Sequence, residues 1–333
     1  MTRRRASYGA VPAVLLMMVA SALYYALALP GDSAPMPLAA ETAEETALAA
    51  SLEGDVRALS VDIGVRNMQE PEALARAADW LDTSWSAAGY EVEREAYEVG
   101  GAEVENLFTE LPGNEFAHEV VVVGAHYDSA EGTPGADDNA SGVAALLALS
   151  RAFAGAPRRR TIRFVAFVNE EPPYFQTDAM GSLVHARGMA EAGANVTAML
   201  SLETMAFFRD EGGTQSYPFP LSLFFPDTGT FLAFVADFGS RDLLHRSVAT
   251  FRDASTLPSE GAALPGDMPG VDWSDHWSFW QAGYPGVMVT DTAPFRNPHY
   301  HEATDLPEEL DYGRLARAVV GLERVVDDLA QGE

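Results

Sequence analysis

The chain of 333 residues contains no cysteine, and it contains no lysine either, so all 21 of its basic residues are arginine. Without cysteine the protein cannot form disulfide bonds, thiolate metal sites, iron–sulfur clusters or a cysteine nucleophile. Any transition metal must therefore be held by histidine and carboxylate side chains. Positive charge is scarce as well, because 49 acidic residues give a net charge of −28. This charge argues against nucleic acid as a partner, since phosphate binding needs a basic face.

The chain is rich in the residues that build a folded core. Hydrophobic residues make up 47% of it, and they include 17 Phe, 11 Tyr and 5 Trp, which excludes disorder for most of the chain. The length fits one large domain or two small ones. No internal repeat and no change of composition marks a second folded domain.

The first 31 residues predict an export segment. Arg3, Arg4 and Arg5 precede an uncharged, apolar stretch over residues 6–31, which is long enough to cross a bilayer as a helix. The tripeptide Ala26-Leu27-Ala28 also offers a small-residue cleavage site. We expect residues 1–31 to be an uncleaved signal-anchor, with a cleaved signal peptide as the alternative. Either one would place the rest of the chain outside the cytoplasm, in the periplasm or at the cell surface, membrane-anchored or secreted.

The remainder divides into a linker and one folded unit. Residues 32–50 form a Pro/Ala/Glu-rich stalk, and residues 51–333 are expected to form a single domain. Paired strands are predicted after residue 90, further strands at residues 119–124, 162–168, 196–202, 221–225 and 286–290, and helices at residues 72–88, 140–153, 181–192 and 307–330. This alternation predicts an α/β fold: a three-layer sandwich whose mixed, mostly parallel central sheet is flanked by helices. Residues 254–270 show no clear period and predict a long surface segment of the kind that lines sites.

Acidic and histidine side chains follow nearly every predicted strand. In an open α/β sheet, the loops at the carboxyl ends of the strands carry the functional residues. These loops contain His126, Asp128, Asp137, Asp138, Glu170, Glu171, Glu203, Asp291, His299 and His301. Carboxylates crowded at one edge repel each other unless cations neutralise them, and zinc is the first candidate because histidines are present and thiols absent. Two metal ions need two histidines and three acids, which the loops supply with one acid left over for proton transfer.

The motifs GAHYDS, PGADDNASG, NEE, SLE and YHEATD occur in this order. Over roughly residues 70–330 the chain resembles the zinc-dependent aminopeptidases of the bacterial leucyl aminopeptidase type. Their clan also contains glutamate carboxypeptidase, glutaminyl cyclase and the metal-free transferrin receptor. The resemblance implies two zinc ions as cofactors and, as substrate, a peptide with a free N-terminus.

The resemblance also implies a role for each matching position. Glu170 corresponds to the general base, and Asp128 to the carboxylate that orients a ligand histidine. The implied metal ligands are His126 and Glu203 on one zinc, Glu171 and His301 on the other, and Asp138 bridging the two. His299 competes with His301, and the family's Tyr-His pattern selects His301. Asp137 matches no ligand, Asp291 and Asp305 are expected to be structural, and Asp275-His276 is expected to lie beside the site.

The implied reaction is hydrolysis of the N-terminal peptide bond by a metal-bridged water, with Glu170 as the base. Two other functions occur on the same fold: a single-zinc, glutaminyl cyclase-like acyltransferase and a catalytically inactive receptor or scaffold. The complete set of matching ligands argues against both. Carboxypeptidase action stays open. The substrate's side-chain preference is open too, because residues 172–182 and 254–270 depart from the family pattern and are expected to shape the specificity pocket.

Overall fold

A single mixed sheet forms the centre of the computed structural model, which describes residues 10–332. Within these residues the strands are β1 (Glu93–Val99), β2 (Ala102–Leu111), β3 (Phe116–His126), β4 (Arg160–Phe167), β5 (Asn195–Glu203), β6 (Leu232–Asp237), β7 (Ser259–Leu264) and β8 (Gly286–Thr290). They form one eight-stranded sheet in the spatial order β1-β2-β4-β3-β5-β8-β6-β7. Parallel pairs join β3 to β4 and β5, β5 to β8, and β6 to β7. The pairs β1–β2, β2–β4 and β6–β8 are antiparallel.

Helices cover both faces of this sheet. They are α1 (Ala10–Leu27), α2 (Ala43–Arg57), α3 (Pro71–Ala87), α4 (Gly142–Phe153), α5 (Gly181–Glu191), α6 (Arg241–Ala254), α7 (His276–Gln281), α8 (Ala293–Arg296) and α9 (Tyr312–Gln331). Side chains alternate between the faces along a strand, so Val121 and Val123 of β3 pack into one core with α2, α3, α4, α6 and α9. Val120 and Val122 pack into a second core with α5 and α7. The predicted three-layer α/β sandwich is confirmed.

Two of the predicted segments differ from the structure. Residues 221–225 were expected to form a strand, but they lie in a loop with one short 3-10 turn at Leu221–Leu223. There Leu223 and Phe224 are exposed. A short apolar run does not by itself distinguish a strand from a loop. The strand in this part of the chain is β6, which begins later, at Leu232. Residues 254–270 were expected to be a surface segment, yet they contain β7, a strand of small residues with weak β-propensity.

The N-terminal region also differs from the expectation. Arg3, Arg4 and Arg5 lie outside the described residues. No helix within residues 10–332 combines the length and the apolar character needed to cross a bilayer, so the predicted transmembrane signal-anchor is not supported. Within the predicted stalk the chain becomes helical, because α2 begins at Ala43, where Thr42 and Glu45 form a reciprocal capping box.

Candidate metal centre

The candidate site lies at the carboxyl edge of the sheet, where β4, β3 and β5 end side by side. His126 ends β3, Glu203 ends β5, Glu170 and Glu171 follow β4, Asp138 lies between β3 and α4, and His301 lies between α8 and α9. Neighbouring parallel strands bring their carboxyl ends to one edge, and the loops after them therefore meet. The structure thus brings together all the residues predicted from the sequence as ligands and base.

Asp138 lies at the centre of this group, with one carboxylate oxygen toward each histidine. Its Oδ1 is 3.3 Å from Nε2 of His126, which is also 3.4 Å from Oε2 of Glu203. Its Oδ2 is 3.1 Å from Nε2 of His301, which is also 3.1 Å from Oε2 of Glu171. The side chains therefore form two sets of donors that share one carboxylate, which is the arrangement a bridging ligand requires.

Several nitrogen and oxygen atoms of this cluster are buried and have no hydrogen-bond partner. Within the described residues this holds for both ring nitrogens of His126, both carboxylate oxygens of Asp138, Oε1 of Glu171 and Nε2 of His301. Buried polar atoms are nearly always satisfied, since leaving them unpaired is costly. One ligand atom each from His126, Asp138 and Glu171 lie within 4.8 Å of one another. Imidazole and carboxylate donors converging in this way fit a zinc site.

Two further carboxylates, those of Asp128 and Glu170, lie beside this cluster. Asp128 lies with Oδ1 3.5 Å from Nδ1 of His126. Its two oxygens also accept hydrogen bonds of 3.2 Å from the backbone N–H groups of Glu170 and Glu171. Asp128 therefore fixes the loop after β4 and faces the ring of His126. Glu170 itself has Oε2 3.9 Å from Nε2 of His126, which places its carboxylate at the edge of the cluster rather than within it.

The electrostatics of the cluster follow from burial and crowding. Burial raises the pKa of Glu170 well above its usual value, and the charges of Glu203 and Glu171 add to this rise against the opposing effect of His126. Burial, followed by the charge of Asp138, raises the pKa of Glu171 to about 7. Asp138 is the exception, because its contacts with the two imidazoles overcome burial and lower its pKa. Asp138 thus stays anionic between the histidines.

A buried arginine, which no sequence pattern pointed to, supports the loop between β3 and α4 that carries Asp138. Arg66 is fully buried, and it donates hydrogen bonds of 2.6 Å to the carbonyl oxygens of Tyr127 and Pro134 and of 2.9 Å to that of Gly135. The same loop is also held by Asp305, whose carboxylate accepts hydrogen bonds of 3.0 and 3.1 Å from the backbone N–H groups of residues 137 and 138. No local pattern marks an arginine whose side chain contacts only backbone oxygens, so the role of Arg66 could not be predicted from the sequence.

The other acidic and histidine candidates lie around the cluster. Asp137 turns away from it, and its oxygens accept hydrogen bonds from the backbone N–H of Ala206 at 3.1 Å and from the Asn297 side chain at 2.9 Å. Asp291 accepts a 2.7 Å hydrogen bond from a backbone N–H. His299 bonds to a threonine hydroxyl at 2.8 Å. These side chains shape the loops and leave the metal-facing positions to the residues above.

Asp275 and His276 were both expected beside the site, but in the structure their side chains lie in different surroundings. Both oxygens of Asp275 are buried without a hydrogen-bond partner in the described part of the chain, and burial raises its pKa to about 7. The charge of Asp275 also acts on Glu170, so this residue does adjoin the site. The His276 ring instead forms a 2.7 Å contact through Nε2 with the carbonyl oxygen of Val271.

Backbone strain is concentrated at this site. Asn169, which precedes Glu170, has a φ of 58°, Thr204, which follows Glu203, has 43°, and His301 has 59°. Residues other than glycine rarely adopt this left-handed conformation, and strained positions of this kind tend to cluster at functional sites. Gln176 and Thr292 are the other such residues in the described part of the chain.

Several known proteins resemble this chain in sequence. The family model described as peptidase family M28 matches residues 106–324. The uncharacterized protein YfbL of Escherichia coli K12 is 34% identical over 280 residues, which are 81% of this chain and 85% of that protein. A probable leucine aminopeptidase of Arthroderma otae is 29% identical over 234 residues, and the match covers 65% of this chain but only 55% of that longer protein.

Solved structures show the same fold. BSAP, a zinc aminopeptidase from Bacillus subtilis, aligns with a TM-score of 0.67 at 15% identity, over 86% of this chain and 95% of that chain. A glutaminyl cyclase from Fimbriiglobus ruber aligns with a TM-score of 0.63 at 19% identity, over 90% of this chain and 99% of that chain. The family model matches residues 106–324, and YfbL is 34% identical over 81% of this chain. The chain therefore belongs to peptidase family M28.

Proposed function

We propose that the protein is a di-zinc exopeptidase that removes single residues from the N-terminus of peptides. The observation that carries this proposal is the position of Asp138, whose two oxygens face two separate histidine–glutamate pairs. The names of the Arthroderma relative and the Bacillus neighbour, both aminopeptidases, support the exopeptidase class.

The residues present divide into two zinc-holding sets. His126 and Glu203 would hold one ion and Glu171 and His301 the other, with Asp138 shared between them. A zinc pair, when bound, acidifies a water molecule and polarises a carbonyl group. The protein contributes the arrangement of these side chains. Asp128 lies behind the His126 ring, with Oδ1 3.5 Å from Nδ1, the position of a carboxylate that orients a ligand histidine.

Glu170 is the proton carrier of this proposal. Its carboxylate is buried at the edge of the cluster and lies near, but outside, the two donor sets. As general base it takes a proton from the attacking water, and as general acid it returns that proton to the amine that leaves when the peptide bond breaks. The hydrogen bond from its backbone N–H to Asp128 fixes where this carboxylate stands.

A single-zinc, glutaminyl cyclase-like acyltransferase is the second candidate, because the Fimbriiglobus enzyme of that name shares the fold over 90% of this chain. The two reactions differ in what they need from the site. Cyclisation of an N-terminal glutamine releases ammonia and consumes no water, whereas peptide hydrolysis needs an activated water and a base beside it. The presence of two histidine–glutamate pairs around Asp138, rather than one, favours the two-metal hydrolase. Glu170 does not separate the candidates, because cyclisation also moves a proton, from the attacking amine to the departing ammonia.

One experiment separates these functions. The full chain is stripped of metal, reloaded with zinc and analysed for metal content. It is then assayed on leucine p-nitroanilide, on its N-acetylated form, on a glutaminyl peptide and on an N-acetylated peptide with a free C-terminus. Two zinc ions per chain and cleavage of the unblocked anilide alone are the expected result. One zinc ion with pyroglutamate formation would select the acyltransferase, and cleavage of blocked peptides from the C-terminus would select a carboxypeptidase.

Export stays a proposal that depends on the sequence of residues 1–31. We propose that the protein acts outside the cytoplasm, and fractionation of cells that express the full chain would test it. Recovery of the chain in the cytoplasmic fraction alone would contradict it.

A further inference from the structure

An aromatic pocket opens directly beside the candidate metal centre. Glu203 and Tyr300 line its inner end, and Tyr300 stacks on the ring of His301 with 4.0 Å between ring centroids. Its walls include Phe225, Phe231 and the stacked pair of Trp273 and Phe295. A substrate bound at the metal centre would therefore have an apolar, aromatic cavity within reach of its first side chain.

One acidic residue, Glu260 of β7, also lines this pocket. Strand pairing connects it to the metal centre: Glu203 pairs with Thr290, Thr290 with Ala233, and Ala233 with Glu260. Residues paired across neighbouring strands point to the same face of a sheet. The four residues therefore form one row across β5, β8, β6 and β7. Three strand spacings separate its ends, or about 14–15 Å between the Cα atoms of Glu203 and Glu260.

The carboxylate of Glu260 has no partner of its own. Among residues 10–332, none donates a hydrogen bond or forms an ion pair with it. The charge of Arg252 acts on it from a distance, but that guanidinium is already engaged with the carbonyl oxygens of Ser259 at 2.8 Å and of Pro30 and Gly31 at 3.1 and 3.0 Å. Burial raises the pKa of Glu260, as expected for an acid in partly apolar surroundings without a neutralising neighbour.

We infer that this pocket receives the side chain of the substrate's N-terminal residue and that Glu260 selects a long cationic side chain, arginine or lysine. The inference rests on the proposed aminopeptidase function and adds the substrate class to it. A long uncharged side chain such as norleucine would bring apolar groups toward the Glu260 carboxylate without offering it a hydrogen-bond donor, which is costly. A short side chain would end well before Glu260, whereas the long side chains of lysine and arginine extend farthest along the row toward it.

The pocket walls suit both parts of such a side chain. The aliphatic stem of lysine or arginine packs on apolar surface while its charged end stays polar. Aromatic rings such as Trp273 and Phe295 attract a cation that lies over their faces. Glu260 at the far end then supplies the one negative charge that a bound ammonium or guanidinium needs.

The test compares lysine with norleucine, which has nearly the same length and no charge. Zinc-loaded full-length protein is assayed for kcat/KM on the p-nitroanilides of arginine, lysine, norleucine and leucine. We expect the wild-type protein to prefer lysine over norleucine by at least about tenfold, the scale of one charged hydrogen bond. In Glu260→Gln the lysine-to-norleucine ratio falls by roughly 10- to 100-fold.

A matched control is Glu98→Gln, an exposed glutamate of β1 at the opposite edge of the sheet, which should keep the wild-type ratio. An equal or better rate on norleucine in the wild-type protein, or an unchanged ratio in Glu260→Gln, would overturn the inference and leave the aminopeptidase proposal standing. Absence of cleavage of every unblocked anilide would instead refute the aminopeptidase proposal. If Glu260→Gln does not fold, salt decides in the wild-type protein: a lysine-to-norleucine ratio that does not fall at high salt contradicts a charge-based preference.

Discussion

Arg66 donates a 2.6 Å hydrogen bond from Nε to the carbonyl oxygen of Tyr127, the residue directly after the candidate ligand His126. Its other guanidinium nitrogens reach the carbonyl oxygens of Pro134 and Gly135, which lead into the loop that carries Asp138. One buried cation thus ties the segment after His126 to the segment before Asp138. The separation of these two side chains depends on a residue that touches neither of them.

Replacing Arg66 should therefore damage both folding and metal binding. In Arg66→Gln the carbonyl oxygens of Tyr127, Pro134 and Gly135 lose their donors inside the protein, and we expect the free energy of unfolding to fall by about 3 kcal/mol. Urea denaturation measures this loss, and zinc titration of the folded fraction should show weaker binding. Arg76→Gln, at an exposed arginine, should change stability by less than about 0.5 kcal/mol. Equal stability of the two variants would contradict this role.

Asp138 provides the direct test of a shared ligand. An asparagine at position 138 keeps the shape of the side chain but loses its charge and one of its two metal-binding oxygens. We expect Asp138→Asn to bind at most one zinc ion per chain and to lose at least about 100-fold in kcat/KM, since two-metal catalysis needs both ions. Mass-spectrometric metal analysis is the measurement, with Asp62→Asn, at an exposed aspartate, as the control. Full zinc content in Asp138→Asn would show that Asp138 does not bridge.

The positions of the site loops could be predicted from the sequence, because each loop follows a strand with a clear pattern. The run of valines from Val120 to Val123 is buried on both faces, and such runs identify central parallel strands whose carboxyl ends meet. This rule is sufficient to place His126, Glu171 and Glu203 near one another. His301 was selected over His299 by the resemblance to a known family, since both follow the same strand.

The edge of the sheet formed by β6 and β7 could not be predicted in this way. Residues 221–225 have the apolar run of a strand but form a loop, while β7 has the small residues of a loop but pairs with β6. Long-range pairing decides such segments, and a local window does not contain it. The row from Glu203 to Glu260 depends on this pairing, and so it becomes visible only in three dimensions.

Stability should depend on pH through Glu95, which lies outside the metal centre. Its Oε2 lies 2.8 Å from Nδ1 of His185 and accepts a 2.8 Å hydrogen bond from Asn106. Burial raises the pKa of Glu95, but the hydrogen bond and charge of His185, with help from Asn106 and Arg163, outweigh burial and lower it overall. A carboxylate with a lowered pKa stabilises the fold above its unfolded value of about 4.3, and this contribution disappears as the pH falls through the folded value.

The corresponding prediction concerns Glu95→Gln. At pH 7 we expect this variant to be less stable than the wild-type protein by about 1 kcal/mol, a modest value because the carboxylate is partly exposed. The difference should shrink as the pH falls below the unfolded value of about 4.3, and it should vanish once the pH has passed the lowered folded pKa, where the wild-type carboxylate is protonated too. Urea unfolding at several pH values measures it, with the exposed neighbour Glu93→Gln as the control. A difference that stays constant with pH would show that the charge of Glu95 is not what stabilises the fold.

Glu170→Gln separates proton transfer from metal binding. Because Glu170 lies 3.9 Å from Nε2 of His126, beyond the distances that join the donor sets, its amide form should leave two zinc ions in place. A glutamine cannot accept the proton of the attacking water, so kcat on leucine p-nitroanilide should fall by about 10²- to 10⁴-fold. Glu191→Gln, at an exposed glutamate that ends α5, should behave as the wild-type protein. Loss of zinc in Glu170→Gln would make Glu170 a ligand, and unchanged turnover would assign the proton transfer to another group.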